Sequence, residues 1–295
     1  MVVHQFAFGQ LNTVLDEPRF LYVVLLGGQS NADGRAPGGE LPENLQLPQP
    51  DVLFYYYTYG MAANPDGTLG RLTTLRPGCT QMPAGGFGPE VTLGHNLTRF
   101  VGQIPGVKLA IIKYAKGGSS LGVDWKTNNH DPTNSEGVHY RTFQQVVKNG
   151  LAMLHRQYPH SRVQLVGMIW VQGESDIDGG DKLSRLYGAN LANFISDLRA
   201  KFDPALPFYF SRISSQQTVY STPAAKLYSD YLMVRSGQAW VAATVDNARM
   251  VDTDGPTFAT KADHLHFDSR GQQALGGAFA ALLESNLKLN LKATR

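Results

Sequence analysis

The chain is poor in charge and almost free of cysteine. Only 17% of its 295 residues are Asp, Glu, Lys or Arg, against about a quarter in ordinary soluble domains. Its polar surface must therefore be built largely from Ser, Thr, Asn, Gln and Gly, which favours a secreted, particle-surface or cell-surface setting over the cytosol. The one cysteine, Cys79, excludes an intramolecular disulfide, so the core has to hold the fold. Cys79 itself reads as a loop or packed-surface residue rather than a reactive thiol. No apolar run approaches the ~20 residues needed to span a bilayer, so no membrane partner is expected. The N-terminus, Met-Val-Val-His-Gln-Phe, lacks the basic start and apolar stretch of a signal peptide. Net charge is +2, and no Lys/Arg block offers the basic patch that a nucleic-acid partner requires.

What is present is a globular composition, 42% hydrophobic, long enough for one large core. Residues 1–18 are weakly patterned and read as an N-terminal extension, followed by a single domain over 19–295. Phe20 to Leu26 is a continuous apolar run closed by Gly27-Gly28, the signature of a strand buried on both faces. Similar runs lie at 52–57, 107–114, 163–171 and 207–211, and Met250-Val251 reads as a short extra strand. Helical stripes alternate with them: Phe143, Val146, Val147, Leu151 and Leu154; then Leu191, Phe194, Ile195 and Leu198; then Leu275, Phe279, Leu282 and Leu283. Residues 89–100 and 223–238 complete the helical set. Alternating strands and helices predict a mostly parallel sheet with helices on both faces. Ligand sites in such folds lie at the carboxyl ends of strands, which directs attention to Gly28–Gly34, Lys116–Trp125 and Gln172–Asp176. Residues 58–88 and 115–139 read as long loops.

Four segments carry chemistry. Ser30 follows the first buried strand between small residues, where it can stand at the sheet edge as a nucleophile or cap the next helix from a turn. Asp263 and His266 share one turn, so the carboxylate can hold the imidazole that a serine needs as base. The same turn also reads as a polar loop, or as a metal-binding pair of His264 and His266 without further ligands. Gln172 and Glu174 supply an amide and a carboxylate after the fourth strand. Lys116-Gly117-Gly118-Ser119-Ser120 can aim a backbone N–H at an oxyanion. Asp252-Thr253-Asp254-Gly255 looks like the start of a calcium loop, but its glycine is misplaced and Pro256 occupies a ligand position.

Together these segments resemble the carbohydrate esterase family of acetylxylan esterases and sialate O-acetylesterases, a branch of the SGNH hydrolases. The resemblance rests on Gly28-Gln29-Ser30-Asn31, Phe87-Gly88-Pro89-Glu90, Lys113 through Leu121, Gln172-Gly173-Glu174-Ser175-Asp176 and Asp263 through Asp268, in that order. It implies a three-layer α/β/α sandwich with a flavodoxin-like parallel sheet of about five strands. It implies Ser30 as nucleophile, His266 as general base and then acid, and Asp263 as its carboxylate, with Glu174 as the alternative or supporting carboxylate. The implied oxyanion hole is the Ser30 N–H, the Gly118 N–H and the Gln172 side chain. The implied reaction removes acetyl groups from an acetylated carbohydrate, with no metal and no cofactor.

The chain departs from the family at Ala32-Asp33, where Met-Ala is usual, and at Val171, where His is usual. Both changes bear on substrate preference. Asn31, Asp33 and Trp125 are the candidate substrate-binding residues, Trp125 either stacking on a sugar or covering the core edge. Lys113 and Lys116 are either solvated or placed to meet an acidic polysaccharide. An SGNH lipase or thioesterase and a non-catalytic glycan-binding domain are the alternatives.

Overall fold

The computed structural model describes residues 17–82, 85–129, 131 and 133–293. Residues 1–16 of the expected extension lie outside the described residues. At its described end, Glu17 Oε1 accepts the His160 N–H at 2.8 Å.

Strand β1 (Phe20–Gly28) is the centre of the fold. Leu21, Val23 and Leu25 enter one core cluster, and Tyr22, Val24 and Leu26 enter the other. This two-sided burial is why its sequence is apolar without alternation. The chain continues through α1 (Ser30–Asp33), β2 (Ala36–Pro37), α2 (Glu43–Gln46), β3 (Gln49–Thr58), β4 (Arg71–Leu75) and β5 (Gly86–Phe87). Then follow α3 (Glu90–Val101), β6 (Val107–Ala115), α4 (Val138–Gln157), β7 (Arg162–Val171), α5 (Glu174–Asp178) and α6 (Asp181–Lys201). The last elements are β8 (Phe208–Ser211), α7 (Thr218–Ser221), α8 (Tyr228–Thr244), β9 (Ala248–Val251) and α9 (Ser269–Ala293).

The main sheet runs β4-β3-β6-β1-β7-β8-β9. Every neighbouring pair is parallel except β3–β4. Helices α4, α6 and α8 bury apolar faces on one side, and α3 and α9 on the other. The expected three-layer α/β/α sandwich is thus present, with seven strands instead of about five. One added strand is β9, which contains the short run at Met250-Val251. The other is β4, inside a segment expected to be loop. Only Leu75 of β4 is buried, so this antiparallel edge carries no apolar alternation to read. Along the chain the six parallel strands are ordered 2-3-1-4-5-6, which exchanges strands one and three relative to flavodoxin's 2-1-3-4-5.

This order positions the site. From β1 the chain goes to the β3 side of the sheet, and from β7 to the β8 side. Adjacent strands whose connections diverge leave a crevice at their carboxyl ends. The crevice between β1 and β7 is where Ser30 and the Gln172–Glu174 segment emerge.

Candidate active site

Ser30 is placed by a sharp departure of the backbone from β1. Gly28 has φ +139°, and a Cβ there would lie 2.1 Å from the Val171 carbonyl oxygen. Gly34 closes the turn at φ +101°, with its Cβ position 2.3 Å from the Phe87 carbonyl carbon. Only glycine fits either place. The Gln29 N–H donates to Val171 O at 3.0 Å, and Ser30 opens α1. Opposite it lies the segment after β6. Gly118 is exposed at φ +69°, and a Cβ built on it would meet nothing within 4 Å. Among the described residues, neither the Ser30 nor the Gly118 N–H is paired with a backbone or side-chain acceptor. The Cβ position of Gly117 lies 3.5 Å from Ser30 Cβ and 2.4 Å from Arg35 Nη2. The glycine loop, the serine and a guanidinium therefore converge.

Asp263 organises the turn that carries His266. Its Oδ1 accepts the Leu265 N–H at 3.0 Å and the His266 N–H at 2.9 Å. Its Oδ2 stands 2.8 Å from His266 Nδ1. Burial raises the Asp263 pKa, but these hydrogen bonds outweigh it and hold the carboxyl below its ordinary value. The turn is docked onto the residue next to Ser30. Asn31 Oδ1 accepts the Phe267 N–H at 3.0 Å, and Asn31 Nδ2 reaches Leu265 O at 3.4 Å. Both chain neighbours of His266 are thus bonded to Asn31. Glu174 is bonded to Asn31 and to Gln217, and no hydrogen bond joins it to His266 among the described residues.

Several expected roles need correction. Gln172 is 1% exposed, and its Nε2 faces Asp176 Oδ2 at 2.6 Å, with Gln29 Oε1 and Ser119 O each at 3.2 Å. Two amide protons among three acceptors leave none for an oxyanion. Asn31 and Asp33 are 0% and 2% exposed. Asn31 is spent on the His266 turn, and Asp33 binds the Gln81 N–H at 3.0 Å and Arg35 at 3.3 Å, so neither presents a side chain to a ligand. Trp125 is fully buried, 5.0 Å edge-on from Trp170, with its Nε1 donating to Ser119 Oγ. It belongs to the core and cannot stack on a sugar. Lys113 is neither solvated nor at the surface; it is buried in an ion pair with Glu90 at 2.8 Å.

Further residues, unmarked as site residues by sequence pattern, build the site. Asp176 accepts the Leu121 and Gly122 N–H groups at 2.7 and 2.9 Å and so pins the Gly118 loop. The signal for it was its place in Gln172–Asp176, just past the carboxyl end of β7. Gln29 Oε1 accepts the Ser175 N–H at 3.1 Å and ties the ends of β1 and β7 together. Gln217 lies in a polar stretch, Ser214-Ser215-Gln216-Gln217, with nothing local to mark it.

Fold and crevice define a three-layer α/β/α sandwich with its candidate site at the carboxyl ends of the parallel strands. A protein from Arabidopsis thaliana has this fold at TM-score 0.63 and 20% identity, covering 91% of this chain and 99% of that one. NanS matches at TM-score 0.61 and 17% identity, covering 94% and 99%. A carbohydrate acetylesterase from Xanthomonas citri matches at 0.57 and 18%, covering 88% of this chain and 55% of its own. No curated protein matches. Residues 21–285 match the family described as "Carbohydrate esterase, sialic acid-specific acetylesterase", and the chain belongs to that family. It is a carbohydrate O-acetylesterase, a carboxylic ester hydrolase acting on an acetylated carbohydrate.

Proposed function

We propose that Ser30, His266 and Asp263 carry out the deacetylation through an acetyl-serine intermediate. His266 takes the Ser30 hydroxyl proton as Oγ attacks the acetyl carbonyl carbon. The negative charge that grows on the carbonyl oxygen is received by the Ser30 and Gly118 N–H groups. One such donor is worth about 3–4 kcal/mol in comparable hydrolases. The sugar oxygen departs with the proton held by His266. Water then attacks the acetyl-serine by the same route and releases acetate.

The observation that carries this reading is the 2.8 Å contact between Asp263 Oδ2 and His266 Nδ1, on a turn bonded to the residue after Ser30. In this reading Asp263 serves the imidazole, since Glu174 bonds Asn31 and Gln217 and has no hydrogen bond to His266 among the described residues. The test is acetate release by wild type and Ser30→Ala from a panel of acetylated glycans, beside esters of increasing acyl length. Release that falls steeply with acyl length and vanishes in Ser30→Ala is the expected result. Full activity in Ser30→Ala would remove the nucleophile from the scheme.

The sugar itself carries a carboxylate in this reading. Three cations lie on the segments that adjoin the serine and the glycine loop. Arg35 reaches Gly117 and shares its charge with Asp33 at 3.3 Å. Lys116 Nζ donates to Gly117 O at 2.7 Å, and Lys261 Nζ to Arg35 O at 3.2 Å. Neither lysine has an acidic partner among the described residues. The family's name, which specifies sialic acid, agrees with an anionic sugar.

A further inference from the structure

Resting on the assignment of Ser30, His266 and Asp263 above, we propose that Glu174 and Gln217 are positioning residues that clamp the peptide groups on either side of His266. Glu174 is 3% exposed and Gln217 1%. Glu174 Oε1 accepts Asn31 Nδ2 at 2.7 Å and Gln217 Nε2 at 2.8 Å. The same two amide nitrogens converge on Leu265 O, at 3.4 Å from Asn31 and 2.9 Å from Gln217. Two amide groups thus spend four N–H donors on two acceptors, one a carboxylate oxygen and the other the carbonyl just before His266. Their carbonyl ends are used as well: Asn31 Oδ1 by the Phe267 N–H and Gln217 Oε1 by the Ser214 N–H, each at 3.0 Å.

The negative charge gives the ring its sense. A carboxylate only accepts, so it forces the nitrogen end of each amide to face it. A flipped Asn31 would turn its carbonyl toward Glu174 and its nitrogen toward the Phe267 N–H, losing both bonds. With both amides oriented, Leu265 O and Phe267 N are fixed, and His266 is held between them. Asp263 fixes the ring itself. The two carboxylates divide the work: one sets where the imidazole sits, and the other how it is turned and charged. Glu174 Oε2 is buried without a hydrogen-bond partner among the described residues, so the second oxygen is not engaged with His266 either.

The experiment compares near-isosteric variants. Glu174→Gln keeps an oxygen able to accept from Asn31 and Gln217, and kcat should fall less than about tenfold. Asp263→Asn removes the acceptor that fixes the imidazole tautomer, and kcat should fall by about 10³–10⁴, the scale seen when a triad Asp becomes Asn. Glu174→Leu and Gln217→Leu open the ring. For these, kcat should fall about 10²-fold with KM within about twofold, the scale of a small misplacement of a catalytic group. Labelling of Ser30 by a fluorophosphonate should slow in proportion, a readout that lost global stability alone would not move at temperatures where the near-UV circular dichroism is native. A Glu174→Gln loss as large as that of Asp263→Asn would make Glu174 the charge partner of His266 and overturn the clamp. Wild-type kcat in Gln217→Leu would overturn it as well. Activity surviving in both Ser30→Ala and Asp263→Asn would instead overturn the underlying catalytic assignment.

Discussion

Asp263 and His266 meet twice across one turn of chain: the carboxylate accepts both the His266 backbone N–H at 2.9 Å and contacts its Nδ1 at 2.8 Å. One side chain therefore fixes the main chain and the ring together. This leaves Nε2 clear of Asp263, as the proposed role of His266 as base for Ser30 requires.

The pH profile follows from that pairing. The Asp263 carboxyl lies below its ordinary value, so it stays charged across the neutral and mildly acid range. Asp263 should therefore add no limb of its own to the acid side of kcat/KM between about pH 4.5 and 8. Initial rates of acetate release from about pH 4.5 to 8 check this. A second limb in that range, absent from Asp263→Asn, would mean that Asp263 titrates within it.

Asp33 supplies a second titration, in stability rather than rate. Burial pushes its carboxyl up to about 6, against Lys113, Arg35 and the Gln81 N–H, which pull it down. A folded-state value above the ordinary 3.8 means that its contribution is fully present below the unfolded value and is lost as pH rises through about 6. The span corresponds to at most about 3 kcal/mol. Asp33→Asn cannot ionise, so its Tm should gain on the wild type as pH is raised from about 4 to 7. Thermal melts of both proteins across that range decide the matter. A constant difference would show that Asp33 does not titrate there.

Legibility in the sequence followed the range of the interactions. β1, β6 and β7 could be read because burial on both faces makes each a local apolar run. Asp263 and His266 could be read because the pair closes within one turn. β4 could not, since its place depends on pairing with β3 and not on its own pattern. Gln217 could not, since its partners Glu174 and Leu265 are brought to it only by the fold. Trp125 was open to misreading because its neighbours Asp124, Lys126 and Asn128 are polar, while the ring turns inward onto Trp170, Phe143 and Phe194. Gln172 has the expected residue type in the expected place, yet its amide is consumed by Asp176.

Trp125 separates packing from binding. Its replacement by Ala should destabilise the protein by about 3–5 kcal/mol, the usual cost of removing a large buried aromatic. Specificity among acetylated sugars should not change in the fraction that remains folded. Urea unfolding and relative kcat/KM across the glycan panel measure the two effects. A stable variant with altered sugar preference would place the ring at the substrate.

The cations around Ser30 make a charge-dependent prediction. Among the described residues, Lys116 and Lys261 spend donors on carbonyls and not on carboxylates, so neither charge is neutralised by an ion pair there. An anionic sugar should feel that field before it binds, and salt should weaken it, because the Debye length shrinks from about 10 Å at 0.1 M to about 3 Å at 1 M. For an acetylated acidic sugar, kcat/KM should fall several-fold between low and high ionic strength; for a neutral one it should stay nearly level. Lys116→Ala with Lys261→Ala should raise KM for the acidic sugar, leave the neutral one little changed, and remove most of the salt dependence. Equal salt dependence for both sugars, or none for either, would mean that the lysines do not read substrate charge.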